Sequence, residues 1–222
     1  PLTTIRMYAE MLAEGRVADD AKRAHYLNVI TRESQRLTRL VNNVLDFSRL
    51  EQGRKQYHPE RLDLAGVLQQ ALDGQADRLR EAGLKVELVL PAERAYAVAD
   101  RDAFEQALLN LLDNAVKYGA SGGRLTVTLA GRGPHWLLSI EDAGPGVPAA
   151  HHDRLFQQFH RVDDSLTARV PGFGLGLSIS RRLIEDQGGT LTYQPGVGGG
   201  ACFVIALPAA GADGVAPTRE SP

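Results

Sequence analysis

Asn110-Leu-Leu-Asp-Asn114-Ala-Val-Lys117-Tyr118 is the stretch on which the reading of this chain turns. Asn110, Asn114 and Lys117 are spaced four and three apart, so on a helix they share one face. Two carboxamides and an ammonium on one stripe suit a metal-bound phosphate chain, because an amide oxygen is a hard ligand of the kind Mg²⁺ accepts. Phe104, Leu108, Leu111, Leu112 and Val116 would anchor the remainder of that helix in a core. Taken alone, the stretch is equally an amphipathic helix with a polar face.

Two glycine clusters downstream favour the first reading. Asp142-Ala-Gly144-Pro-Gly146 follows the strand-like run His135 to Asp142. A carboxylate at a strand end can accept a hydrogen bond from an exocyclic amine such as that of adenine. Gly144 and Gly146 let the backbone approach a flat ring without Cβ clashes, although Gly-Pro-Gly is also ordinary turn chemistry. Gly172-Phe-Gly174-Leu-Gly176-Leu-Ser-Ile then opens another helix. Glycines ahead of a helix N-terminus expose N–H groups to an anion, and the helix dipole adds to the attraction. The loop lacks the Gly-Lys-Ser/Thr of a Walker A motif, and no strand leads directly into it as a dinucleotide fingerprint requires.

The order of these clusters resembles the N, G1, F and G2 boxes of the bacterial two-component sensor histidine kinases, within the GHKL ATPase superfamily. Leu155-Phe156-Gln-Gln-Phe159-His160-Arg161 would be the F box and Val162 to Pro171 a mobile ATP lid. Pro1-Leu-Thr-Thr-Ile resembles the tail of an H box, so the phosphoaccepting histidine and its acidic neighbour are expected ahead of Pro1. None of the six histidines in the chain has the acidic neighbour and following proline of that motif, so no catalytic residue is assigned within it. Among them His25 is expected at solvent or a core edge, His151 and His152 at a helix start, and His160 at the surface near Arg161.

The resemblance implies an α+β architecture. A helical hairpin would form a dimeric four-helix bundle, followed by a two-layer α/β sandwich of the GHKL or Bergerat type. It implies ATP and Mg²⁺ as cofactors, a homodimer, a response-regulator receiver domain as partner, and phosphoryl transfer from ATP to histidine to aspartate. Asn114 would hold Mg²⁺ with Asn110 assisting. Lys117 and Arg161 would meet phosphates, Tyr118 would lie beside the nucleotide, and Asp142 would take the adenine amine. Gly144, Gly146, Gly172, Gly174 and Gly176 would shape the backbone, and Val147 and Leu175 complete the nucleotide-binding set. Ala143 and Phe173 depart from the family's commoner Asn and Thr, though neither replaces a proposed ligand.

Two other classes are open. A hydrolysing GHKL machine of the gyrase or chaperone type would place Glu where Asn110 stands; a carboxamide cannot take a proton from water. The second is a nucleotide-binding regulatory dimer, or a response-regulator phosphatase without kinase activity.

Composition is consistent with the kinase reading. The chain has 222 residues, 43% of them hydrophobic, enough for one α/β domain and a smaller helical one. A net charge of −2 offers no basic footprint for nucleic acid. Cys202 is the lone cysteine, so no internal disulfide can form, which suits a reducing compartment. No run reaches membrane-spanning length, so the expectation is a cytoplasmic portion, attached to an inner membrane only through missing N-terminal regions.

Periodicity divides the chain. Leu2, Ile5, Ala9 and Leu12 repeat at helical spacing up to Gly15. After Asp19 or Asp20, the residues Tyr26, Ile30, Leu37, Leu40, Val44 and Phe47 follow an a/d pattern, interrupted by Glu33, until Gly53. Two helices alone cannot bury this stripe, so residues 1–53 are read as a dimerisation hairpin completed by a second copy, the alternative being that the hairpin packs on the chain's own α/β domain. Residues 54–62, polar and containing Pro59, are read as a linker. Residues 63–208 are read as the ATP-binding domain and 209–222 as a disordered tail. Asp63 is expected to cap one helix reaching about Ala82, and strands are expected at Leu84–Leu90, Tyr96–Val98, Arg124–Ala130, His135–Asp142 and near Leu191 and Phe203.

Overall fold

The computed structural model describes residues 1–15, 17, 19–162 and 174–210, without the side chains at 36, 39, 40, 42, 43, 46 and 47. The expectations for the lid beyond Val162, for Gly172 and Phe173, for the tail beyond Ala210, and for the side chains of Leu40 and Phe47 lie outside the described residues. The chain forms two compact units, Pro1–Arg54 and Lys55–Pro222.

The first unit is a helical hairpin of α1 (Leu2–Ala13) and α2 (Asp20–Glu51). The Asp19 carboxylate accepts a 2.9 Å hydrogen bond from the Ala21 N–H and caps α2. Gly15 and Gly53, just past the two helix ends, have φ of +66° and +60°, the left-handed conformation in which glycine ends helices. Tyr8 and Tyr26 pack across the hairpin with ring centroids 4.5 Å apart. The hairpin leaves much apolar surface in the open. No residue of α1 is buried, and Leu27, Val41, Val44 and Leu45 of α2 are each about half exposed.

The second unit is a two-layer α/β structure. Its main sheet runs in the order β2 (Lys85–Val89), β4 (Arg124–Arg132), β5 (His135–Asp142), β7 (Ala201–Pro208), β6 (Thr190–Pro195). The β2–β4 pair is parallel and the other three pairs are antiparallel. Period-two alternation turns Leu125, Val127, Leu138, Ile140 and Ile205 into the core, so one face of the sheet is apolar and covered. The cover comes from α3 (Leu64–Gly74), α5 (Arg101–Asn114) and α6 (Gly176–Glu185), through residues such as Leu68, Phe104, Leu108, Leu111 and Ile184. Asp100 caps α5 by accepting from the Ala103 N–H at 2.8 Å.

Three expectations change. Residues 54–62 are not wholly a linker: β1 (Pro59–Asp63) pairs antiparallel with β3 (Tyr96–Asp100) in a separate two-stranded sheet. Its partner lies far along the chain, and Pro59 sits at the first strand position, where a missing N–H is tolerated. The single helix from Asp63 is two, because the chain breaks at Gln75 before α4 (Ala76–Glu81), although Asp63 does cap the first at Gly66. Ala209 and Ala210 belong to the folded unit, Ala209 bridging Ala97 and the Ala210 N–H donating to Tyr96. Among the described residues no helix is long and apolar enough to cross a membrane.

Candidate functional site

The glycine clusters meet around one carboxylate. Asp142 ends β5 and is only 7% exposed. Its Oδ1 accepts from the N–H of Gly144 at 2.9 Å and of Ala201 at 3.3 Å. Among the described residues Oδ2 has no hydrogen-bond partner, so it can accept from an incoming N–H donor. Burial pushes the Asp142 carboxyl above the ordinary carboxylate range, with neighbouring Glu141 adding to the push and the two N–H donors opposing it.

Three backbone segments crowd this carboxylate so closely that side chains would not fit. A Cβ on Gly119 would lie 2.4 Å from Asp142 Cβ, and one on Gly144 would lie 2.7 Å from Gly119 Cα. A Cβ on Gly200 would come within 1.8 Å of the Asp142 carbonyl oxygen. Gly146 takes φ of +68° with its Cβ position 2.3 Å from the Gly199 oxygen, so the loop after β5 lies on the β6–β7 loop. Gly119 and Gly200 were not among the expected site residues; their need is set by contacts with a residue distant in sequence.

The asparagine stripe sits at the end of α5. The Asn110 Nδ2 donates to Ser180 Oγ at 3.1 Å, tying α5 to the fully buried Ser180 of α6. Asn114 is half-buried at the last α-helical position, and among the described residues its carboxamide makes no hydrogen bond. Beyond it the helix widens into a π-turn over Ala115–Gly119, so Lys117 does not continue an unbroken α-helical stripe. The Lys117 ammonium rests on the Asp113 carboxylate, whose other oxygen takes the Arg78 guanidinium of α4. Tyr118, in the same turn, is 37% exposed.

The loop toward α6 is joined to the loop after β5. The Phe159 N–H donates to the Gly174 oxygen at 3.0 Å, and Phe159 itself has φ of +60°, which a non-glycine residue rarely takes. Gly174 has φ of +68°, with a Cβ position 2.5 Å from the His160 oxygen, so only glycine fits there. Leu175 is buried, and Gly176 opens α6; a Cβ on Gly176 would meet nothing nearer than Asn110 Cγ at 3.9 Å, an ordinary contact. Arg161 is half-buried before residue 163.

The histidines form a separate small network. His151 and His152 sit on the short 3₁₀ turn Ala149–Arg154. His151 Nδ1 lies 3.2 Å from His160 Nε2, and His152 Nε2 lies 2.8 Å from the half-buried Val147's carbonyl oxygen. His25 is exposed, as expected.

Chemically, the arrangement offers a buried acceptor, a glycine-lined approach, an uncommitted amide oxygen and nearby cations. Among the described residues no group of three or more His, Cys, Asp or Glu side chains could hold a metal by itself. A hard cation would therefore take Asn114 together with oxygens brought by its ligand, a donor set that fits Mg²⁺ on a phosphate chain.

Comparison with known proteins gives the family and the fold. Residues 99–211 match the family described as histidine kinase-, DNA gyrase B-, and HSP90-like ATPase, and residues 1–53 match the His Kinase A (phospho-acceptor) domain. The sensor histidine kinase WalK of Bacillus subtilis is 31% identical over 94% of this chain and 34% of its own length, so the chain spans about a third of that relative. The histidine kinase AdeS of Acinetobacter baumannii superposes with a TM-score of 0.75, 27% identical, over 95% of this chain and 96% of that one. ShkA, solved in complex with AMPPNP, superposes with a TM-score of 0.74, 30% identical, over 89% of this chain and 41% of that one.

Proposed function

This chain belongs to the sensor histidine kinase family, and from that premise we propose that it is the dimerising and ATP-binding part of an ATP-dependent protein histidine kinase. The observation that carries the proposal is Asp142: a buried carboxylate with one oxygen fixed by two N–H groups and the other uncommitted, at the meeting point of three glycine segments. That is what recognition of an adenine amine requires, since a charged acceptor held in place discriminates a donor from a base edge lacking one.

The residues divide the work. Asp142 Oδ2 accepts the exocyclic amine while the close backbones of Gly119, Gly144 and Gly146 admit the ring. The Asn114 amide oxygen ligates Mg²⁺, and Asn110, bonded to Ser180, keeps α5 and α6 in register beneath it. Lys117 and Arg161 supply cations to the phosphates, with Tyr118 alongside. Gly174 to Gly176, at the N-terminus of α6, add N–H donors. When bound, Mg·ATP supplies an electrophilic γ-phosphoryl group with its charge partly neutralised. No carboxylate stands at position 110 to take a proton from water, so the site favours transfer over hydrolysis. The acceptor is the histidine of the H box whose tail Pro1 to Ile5 resembles, and the phosphoryl passes from there to an aspartate of a response-regulator receiver domain. The exposed apolar side chains of α2 pack against a second copy.

The test is phosphotransfer by a chain extended through the H box. Incubation with γ-labelled Mg·ATP yields an acid-labile, base-stable phosphate that moves to a receiver domain, and Asp142→Ala lowers its yield at limiting ATP. Steady ATP hydrolysis with no protein-bound label would refute the kinase reading.

A further inference from the structure

Asp113 lies beside the expected ligands, yet none of the roles assigned above uses it. It is a half-buried carboxylate, 22% exposed, with a cation on each oxygen: Arg78 on Oδ1 and Lys117 on Oδ2. The two cations differ in origin. Arg78 comes from α4, outside the site, whereas Lys117 comes from the π-turn beside Asn114. Burial alone would raise the Asp113 carboxyl, but Lys117 and then Arg78 outweigh it and hold the group below the ordinary range.

We propose that Asp113 is a positioning residue that holds Lys117 for transfer to the polyphosphate, with Arg78 as the resident counter-charge that remains when Lys117 leaves. This rests on the reading above that Lys117 meets phosphate.

A partly buried carboxylate stripped of its only partner is strongly unfavourable. Were Lys117 the sole partner of Asp113, its move to a ligand would orphan that charge, and the ammonium would stay. The Arg78 guanidinium keeps Asp113 paired in either arrangement, so Lys117 is a third charge free to exchange one anion for another. Lys suits the mobile part, being a compact ammonium on a flexible stem; Arg suits the fixed part, being a planar fork. Lys117 lies in contact with Asp113 across the π-turn, so the ammonium has the same carboxylate to return to whenever the ligand departs. Asp113 therefore sets the affinity for the charged end of the nucleotide while leaving the adenosine end alone.

Calorimetry with ATP and with adenosine tests this. Asp113→Asn frees Lys117 and tightens ATP by roughly three- to fivefold, the order that one partly exposed ion pair supplies. Arg78→Gln strengthens the hold on Lys117 and weakens ATP by a similar factor. Asp113→Glu restores the wild-type value, and adenosine affinity stays constant throughout, which also reports an intact fold. Lys117→Met weakens ATP itself and erases both effects, whereas a mere field of the bare charges at 78 and 113 would persist without Lys117. Equal effects of Asp113→Asn with and without Lys117, or weakened ATP in Asp113→Asn, would overturn the transfer alone. Wild-type ATP affinity in Lys117→Met would instead overturn the phosphate role of Lys117, and the transfer with it.

Discussion

Replacing Gly119 by alanine adds one methyl group at the point where the π-turn touches Asp142. The backbone at Gly119 is ordinary, with φ of −93°, so alanine is not strained there; the entire effect is contact. The new Cβ would lie 2.4 Å from Asp142 Cβ, 2.6 Å from Cγ and 3.0 Å from Oδ1. Relief requires about an ångström of separation between two packed backbones, and overpacking of that kind costs about 1–3 kcal/mol. Moving Asp142 also loosens its bonds to the Gly144 and Ala201 N–H groups, adding about 1–3 kcal/mol if a buried partner is left unsatisfied. The sum, about 2–6 kcal/mol, lowers the melting temperature of the second unit by roughly 4–24 °C. ATP affinity falls at least tenfold, because the displaced carboxylate no longer meets the amine. Gly74→Ala is the matched control: nothing lies within 4 Å of its Cβ position, so it is neutral or stabilises by about 0.4–1 kcal/mol. Thermal melting and calorimetry on both variants read these outcomes. A Gly119→Ala protein that melts and binds ATP like the wild type would refute the close contact between the π-turn and Asp142.

Further outcomes follow from the same geometry. Asp142→Ala weakens ATP and adenosine alike, by about 1.5–3 kcal/mol for a lost charged acceptor, and calorimetry showing equal affinity would discount the adenine pose. Asn114→Ala removes the Mg²⁺-dependent tightening of ATP, measured with and without the ion; normal tightening would place the metal elsewhere. Leu37→Glu with Val44→Glu gives a monomer by light scattering that still binds nucleotide, since each large apolar side chain buried is worth about 1.5–3 kcal/mol to the bundle; a wild-type monomer contradicts it. Asp113 is held below its unfolded value of about 3.9, so its stabilisation is present above that pH and is lost as pH falls through the folded value. Acid unfolding therefore removes less stability from Asp113→Asn than from the wild type, and parallel curves would deny the ion triad.

The helices and the main sheet were legible because their signals are local. Leu125, Val127 and Leu129 alternate, Phe104, Leu108 and Leu111 repeat at helical spacing, and Asp19 and Asp63 cap helices from the adjoining position. Strand β1 was hidden because Pro59–Asp63 is largely polar and exposed and its pairing partner Tyr96–Asp100 comes only after two helices and β2. The order of the candidate ligands along the chain was readable, but their engagements were not. Nothing near Lys117 announces Arg78, which arrives from another helix to share Asp113. Gly119 and Gly200 look like any turn glycines until Asp142 is placed against them. The His151–His160 contact has the same character, joining two turns across nine positions.

The most direct measurement is a structure of this chain with Mg²⁺ and a non-hydrolysable ATP analogue. The adenine amine is expected within about 2.7–3.2 Å of Asp142 Oδ2, the metal on the Asn114 amide oxygen, and Lys117 moved from Asp113 to a phosphate while Arg78 stays. Adenine bound away from Asp142, or no binding of the analogue at saturating concentration, would contradict it.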